Sequence, residues 1–189
     1  MPSAQRTFIG LLLLLWLSQV GCQSQTTHST AMNSALHGKP FPLIVCRNLA
    51  GDTITLPGAA LGKKTLVVMA YRQSTQPQVD TWLKPWNARM QGKPGVAGFE
   101  IPMIKGFYKP FRGWIDGGMA SALPRTVWEQ VVTYYGSWDA YLPALGVKDT
   151  KWAYVYLLDA QGTIRWTHIG PADEASLAAL FLAVEGLGE

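Results

Sequence analysis

The stretch that decides the fold is Thr65-Leu66-Val67-Val68-Met69-Ala70-Tyr71, followed by Arg72-Gln73-Ser74-Thr75-Gln76-Pro77-Gln78-Val79-Asp80. The first part is an unbroken apolar run with β-branched residues at its centre, which predicts a central strand that is covered on both faces. The second part leads into a helix over 77–90, because apolar residues recur at helical spacing and Pro77 suits a first helical turn. Pro85 should kink this helix.

The rest of the chain predicts an α/β domain around a central mixed sheet with flanking helices. Further strands are predicted over 43–49, 53–56, 99–105, 152–158 and 163–168, with a short helix over 138–145. A last helix is expected to begin near Gly170-Pro171 and to stop near Gly186. The segment 120–135 fits either a helix or a strand.

The first 21 residues predict an export signal, because Arg6 is their only charge and 8–17 is an apolar run too short to span a bilayer. The run ends in Val20-Gly21-Cys22, which resembles a bacterial lipoprotein signal and implies lipidation of Cys22. Ordinary cleavage that leaves Cys22 as a free thiol is the alternative. We expect residues 22–37 to form a disordered tether, because they carry few large apolar side chains, and 38–189 to form the folded domain.

This organisation predicts a lipid-anchored protein on the extracytoplasmic face of a bacterial cell envelope. Gln23 after Cys22 resembles outer-membrane lipoproteins, should the host have two membranes. The formal net charge of +4 is scattered along 189 residues, so nucleic acid is a poor partner.

The order of elements resembles the thioredoxin-like superfamily, and the opening is most similar to its peroxiredoxin and thiol-reductase branches. The residues that carry the resemblance are Gly38-Lys39-Pro40-Phe41-Pro42, Leu49-Ala50-Gly51-Asp52 and Leu61-Gly62-Lys63-Lys64, before the central strand. In that superfamily the following turn holds the reactive cysteine. Here the turn reads Ser74-Thr75-Gln76-Pro77, without a thiol, and the superfamily's cis-proline is replaced by Lys148-Asp149-Thr150-Lys151-Trp152. Thiolate chemistry requires a sulfur, so we interpret this turn as a vestigial redox site.

The second half is similar to a narrower family, the assembly factor of the mitochondrial ATP synthase Fo sector and its bacterial relatives. The matching residues are Tyr154-Val155-Tyr156-Leu157-Leu158-Asp159, Gly162-Thr163-Ile164-Arg165-Trp166, and then Gly170, Ala172, Glu174 and Leu177. The resemblance implies a non-catalytic protein that helps a membrane complex to assemble.

Ser74 and Thr75 could cap the helix or stabilise an anion, and a cap is the simpler interpretation. Cys46 lies on a predicted strand and is expected to be a buried apolar residue. The alternative is a thiol-dependent peroxidase or reductase that uses Cys46. His168 is without the thiolates that select Cu(I), so the sequence predicts neither a metal nor another cofactor.

Residues 104–114 interleave cations with aromatic rings. Such a mixture suits a membrane interface or a protein partner, and we select Phe107, Tyr108, Phe111 and Trp114 as the candidate partner interface. Packing of these rings on the core is the alternative. Trp82 and Trp86 lie four residues apart on the predicted helix and are expected to be buried, although an exposed patch would also fit.

The sequence therefore predicts a redox-inactive, thioredoxin-like lipoprotein that acts as a binding or assembly module for a membrane-associated complex. Two alternatives stay open. One is the Cys46-dependent enzyme, and the other is an envelope protein that binds a small ligand in the emptied groove.

Overall fold

The computed structural model describes residues 29–188 as a seven-stranded mixed sheet with flanking helices. The strands are Ile44–Asn48 (β1), Thr53–Leu56 (β2), Lys64–Ala70 (β3), Val96–Lys105 (β4), Val132–Gly136 (β5), Tyr154–Leu158 (β6) and Ile164–Ile169 (β7). The helices are 29–36 (α1), Gln76–Met90 (α2), Arg112–Ala122 (α3), Tyr141–Ala144 (α4) and Glu174–Gly186 (α5). The predicted α/β class is thus confirmed.

The strand order is β2-β1-β5-β4-β3-β6-β7. Strands β3, β4 and β5 run parallel, and the other neighbours pair antiparallel. The carboxyl ends of the three parallel strands consequently meet at one edge of the sheet, which we call the carboxyl edge. In open α/β sheets this edge is where ligands and functional loops gather.

Strand β3 is buried on both faces, as its continuous apolar run predicts. Leu66 and Val68 pack with α2 and α5, whereas Val67 and Met69 pack into a second cluster on the opposite face. This alternation follows from the period of two in a β-strand. Two apolar clusters therefore stabilise the sheet, one on each side.

The tryptophans of α2 belong to the core. Trp82 and Trp86 are almost fully buried, and the Trp82 indole N–H donates to the carbonyl of Gly170 at 2.9 Å. The predicted burial of both tryptophans is therefore confirmed, and the alternative of an exposed patch is excluded. Helix α2 continues through Pro85.

Helix α5 begins at Glu174, three to four residues after the predicted start near Gly170-Pro171, and it ends at Gly186 as predicted. Asp173 is its N-cap, and it exchanges hydrogen bonds with Ser176 in a capping box. The ambiguous segment 120–135 contains both kinds of element. It includes the end of α3, a 3-10 turn at Arg125–Val127 and most of β5.

The prediction of a disordered tether over 22–37 is wrong for residues 29–36, because these residues form helix α1. Met32 and Leu36 are buried in the core, at 6% and 4% exposure. The Ser29 hydroxyl and the side-chain amide oxygen of Asn33 accept backbone N–H groups of β7. Two large apolar residues four apart, together with these polar contacts, hold α1 against an edge strand that would otherwise be open. The signal peptide, Cys22 and residues 22–28 lie outside the described residues.

Candidate functional site

The strand-to-helix junction joins β3 to α2 at the carboxyl edge. Tyr71 and Arg72 leave the strand, a 3-10 turn covers Gln73–Thr75, and α2 begins at Gln76. Ser74, Gln76 and Pro77 are exposed, whereas Thr75 is fully buried. The junction therefore presents a hydroxyl and an amide to solvent at the place where thioredoxin-like proteins carry a thiol.

Thr75 occupies the N-cap position of α2, but its side chain makes no capping hydrogen bond among the described residues. The expected cap is thus wrong for Thr75. Its hydroxyl and that of Tyr71 are buried with no hydrogen-bond partner within residues 29–188. Burial raises the pKa of the Tyr71 hydroxyl well above its usual range. Tyr71 packs edge-on against Trp138 and Tyr154, with ring centroids 5.2 and 6.2 Å away.

The loop before β6, which replaces the cis-proline region, is tied to this junction. The Gln78 amide oxygen accepts the Ala153 N–H at 2.9 Å, and its nitrogen donates to the Lys151 carbonyl at 3.2 Å. Arg72 donates to the Thr150 hydroxyl at 3.1 Å. Polar groups that could meet an extended ligand are therefore already engaged with one another.

Glu100 is a buried carboxyl that the sequence interpretation missed. It lies on β4 opposite Val68 and is 6% exposed. Burial raises the pKa of Glu100 to about 7. A hydrogen bond from Gln76 lowers this pKa in part, and the negative charge of Asp80 raises it. The sequence did offer a signal for this residue, namely an acidic side chain inside a predicted apolar strand. In the structure, the carboxyl of Glu100 lies beneath the first turns of α2 and has a pKa near neutral.

Cys46 lies on β1, which β5 and β4 separate from β3. Strands β1 and β3 are three strand spacings of about 4.8 Å apart, so Cys46 lies roughly 14 Å from β3, the strand that leads into the junction. The thiol is 4% exposed, and burial raises the pKa of Cys46 to about 12, although Arg112 opposes the shift. Its surroundings therefore disfavour the thiolate, as expected for a buried apolar cysteine.

The candidate partner interface follows the end of β4 at the same edge. Residues Gly106–Phe111 form a 3-10 helix that runs directly into α3, and neither element contains a buried residue. Phe107, Tyr108, Phe111 and Trp114 are 66%, 46%, 60% and 82% exposed. Packing of these four rings in the core is therefore excluded, and their role as a partner interface stays a prediction.

This exposed segment is held from beneath by polar contacts. The Tyr135 hydroxyl donates to Asp116 at 2.7 Å, and the Arg112 guanidinium lies 4.6 Å from the Tyr135 ring centre. At the start of the segment, the Lys105 ammonium lies 5.1 Å from the ring centre of Trp138. The two contacts of Tyr135 fix α3 on β5, and the four rings of the segment remain exposed.

His168 is half-buried between the rings of Trp82 and Trp166, at centroid distances of 5.0 and 5.8 Å. Burial lowers its pKa, although Asp173 opposes the shift. Within residues 29–188, no group of three or more His, Cys, Asp or Glu residues is arranged to hold a metal ion. The helices in this range are all too short or too polar to cross a membrane.

Solved structures with a similar fold are thioredoxin-like. A putative thiol:disulfide interchange protein DsbE from Chlorobium tepidum is 16% identical, with a TM-score of 0.57 over 80% of this chain and 98% of that chain. The thioredoxin domain of a Bacteroides vulgatus thiol-disulfide oxidoreductase is 19% identical, with a TM-score of 0.54 over 77% and 96%. The exposed lipoprotein thioredoxin Etrx1 from Streptococcus pneumoniae is 16% identical, with a TM-score of 0.51 over 76% and 99%. At these identities the likeness establishes the fold, and the thioredoxin-like prediction is confirmed.

A search of curated proteins finds no match to the chain. The family model described as ATP10 protein matches residues 32–187. This range begins within α1 and ends just after α5, so it takes in the whole sheet. It agrees with the resemblance carried by the β6–β7 hairpin and the start of α5. The chain therefore belongs to the ATP10 protein family, the ATP synthase assembly group, and has a thioredoxin-like fold.

Proposed function

We propose that this protein is a redox-inactive member of its family that acts as a binding and assembly module for a membrane-associated complex. The observation that carries the proposal is the family match over a domain whose junction, Arg72–Asp80, contains no cysteine. Disulfide exchange and peroxide reduction both need a thiolate nucleophile. Cys46 does not replace it, because it is buried three strands away and its thiolate is disfavoured.

The proposed module is exported by residues 1–21 and anchored in the cell envelope by a lipid on Cys22. The apolar run, Gly21 and Cys22 support this part from sequence alone. The similar pneumococcal structure is itself described as an exposed lipoprotein. A lipid anchor keeps a small domain at the membrane surface, where a membrane complex assembles.

The module meets that complex at the edge of the domain that carries Phe107, Tyr108, Phe111 and Trp114. Their exposure supports the assignment, because large rings at a surface are the residue types that most often dominate interfaces. The polar contacts of Asp116 and Arg112 support it too, since a preorganised surface loses less conformational entropy when it binds.

Affinity purification of the tagged full chain from membranes tests the proposal. We expect the wild type and Cys46→Ala to recover the same envelope partner, and Phe107→Ser/Tyr108→Ser/Phe111→Ser to lose it. The matched control is Leu182→Ser on α5, which also removes an exposed apolar side chain, 70% exposed, and should retain the partner. Loss of function in a folded Cys46→Ala variant, together with thiol-dependent peroxide reduction by the wild type, would favour the enzyme instead.

A further inference from the structure

The described chain begins at the carboxyl edge of the sheet. The Ser29 hydroxyl accepts the N–H of Ile169, which pairs with Tyr154 on β6. Tyr154 in turn pairs with Met69, near the end of β3. Since β4 runs parallel to β3, its own carboxyl end and the aromatic segment that follows lie at this same edge. The amino-terminal segment therefore joins the domain on the side that carries the exposed rings.

The spacing between the two features is short. Cys22 precedes Ser29 by seven residues, which span at most about 25 Å when fully extended. From β7 to β4 there are three strand spacings, or roughly 14 Å. A lipid on Cys22 would thus hold the carboxyl edge close to the bilayer surface, and this step rests on the anchor in the proposed function.

The charge of the aromatic segment suits an anionic surface. Lys105, Lys109 and Arg112 lie among its rings, and residues 104–115 contain no acidic residue. The acidic side chains elsewhere near this edge are Asp80, Asp116, Asp139, Asp149, Asp173 and Glu174, and Asp116 accepts the Tyr135 hydroxyl beneath the segment at 2.7 Å. Asp80 pairs with Lys84 and Asp149 with Lys151, each at 2.9 Å, and Asp173 caps α5. The segment itself is left as a cationic and aromatic surface.

We propose that the carboxyl edge is the membrane-facing side of the domain, with Phe107, Phe111 and Trp114 in the interfacial layer of an anionic bilayer and Lys105 and Lys109 against lipid phosphates. Aromatic rings partition into the interfacial layer because their apolar bodies and polar edges meet both environments there. Basic residues beside them add attraction to anionic lipids, of roughly fivefold in partitioning per cation near the surface. The anchor and the aromatic segment then contact the bilayer together.

Quenching of tryptophan fluorescence by brominated lipids tests this orientation. The full chain is purified from membranes and reconstituted into vesicles of brominated phosphatidylcholine, with or without phosphatidylglycerol. We expect strong quenching in the anionic vesicles, and loss of most of it in Trp114→Phe. The matched control is Trp128→Phe, which removes a half-buried tryptophan that precedes β5 at the opposite edge and should leave quenching unchanged. Lys109→Gln should weaken the preference for phosphatidylglycerol.

Equal quenching of the wild type and Trp114→Phe overturns the proposal, as does quenching that does not respond to phosphatidylglycerol. If lipid quenching at Trp114 is absent while the triple serine variant loses its envelope partner, the surface is a protein interface and the proposed function stands. If lipid quenching is present and no partner is recovered, the membrane orientation stands and the proposed assembly role fails.

Discussion

The side-chain carbonyl oxygen of Asn33 accepts the backbone N–H of Thr167 at 3.0 Å, across 134 positions of sequence. Ser29 accepts the N–H of Ile169 in the same way, one turn earlier on α1. Together they satisfy two backbone donors of β7, the strand at one end of the sheet order. Side chains from a helix thus replace the hydrogen bonds that a further strand would supply.

We expect Asn33→Ala to lower the free energy of unfolding by about 1 kcal/mol, because a backbone donor loses its partner. Met32→Ala should lower it by roughly 2–5 kcal/mol, since the side chain is buried in the core. Urea titration of each variant measures the change. Ser34→Ala, an exposed position on the same helix, is the control and should match the wild type. If all three variants are equally stable, α1 does not contribute to the fold.

Glu100 should make stability depend on pH. The folded-state pKa is raised from 4.5 to about 7, so the folded protein keeps the proton while the unfolded chain releases it. Below pH 4.5 both states are protonated and there is no penalty. The free energy of unfolding of the wild type therefore falls as the pH rises from 4.5 to 7. Above pH 7 the total loss is about 3 kcal/mol.

Glu100→Gln should therefore match the wild type near pH 4, and its advantage in stability over the wild type should grow between pH 4.5 and 7 and stay constant above pH 7. Urea unfolding at several pH values tests this sign. Glu129→Gln changes an exposed acidic residue and should show no comparable gain. A Glu100→Gln variant that is less stable at pH 8 than the wild type would contradict the assignment of an unfavourable buried charge.

The Cys46 thiol should resist alkylation in the native protein. It is 4% exposed, and its raised pKa of about 12 leaves little thiolate at pH 8. Peptide mapping after iodoacetamide treatment should find this cysteine modified only when guanidinium is added first. Rapid modification of the folded chain would instead favour the peroxidase or reductase alternative.

Anchoring through Cys22 is a separate prediction, since this residue lies outside the described range. Cys22→Ala should remove the acyl group, because the modification requires the thiol. Mass spectrometry of the wild-type amino terminus should show a lipid on Cys22, and membrane fractionation should show its loss in the variant. An unmodified wild-type terminus would end the lipoprotein interpretation.

Most of the fold follows from local patterns. The run Thr65–Tyr71 and the turn Asp159–Gly162 between two strands are each encoded within a few residues, and both are confirmed. Helix α5 is confirmed as well, although it begins three to four residues after its predicted start. Helix α1 could not be predicted this way, because its polar partners on β7 lie more than 130 positions away. Glu100 was missed for a related reason, since only the tertiary structure places Gln76 and Asp80 over the strand.

The last prediction concerns the energetic role of the aromatic segment. Phe107→Ser/Tyr108→Ser/Phe111→Ser should leave the melting temperature close to that of the wild type, because these rings are already 66%, 46% and 60% exposed. The main intramolecular loss is the contact between Phe107 and Tyr108, whose ring centroids are 4.2 Å apart, and an aromatic pair contributes about 0.5–1.5 kcal/mol.

Phe41→Ser is the buried counterpart of this triple variant, because Phe41 is 2% exposed and packs edge-on against Tyr156 at 5.6 Å. It should cost roughly 3–5 kcal/mol or prevent folding. Calorimetry of both proteins separates the two outcomes. A triple variant that unfolds as readily as Phe41→Ser would show that the rings stabilise the domain. A stable triple variant means that these three large rings are kept at the surface without benefit to folding, and that their role lies in contacts outside the chain.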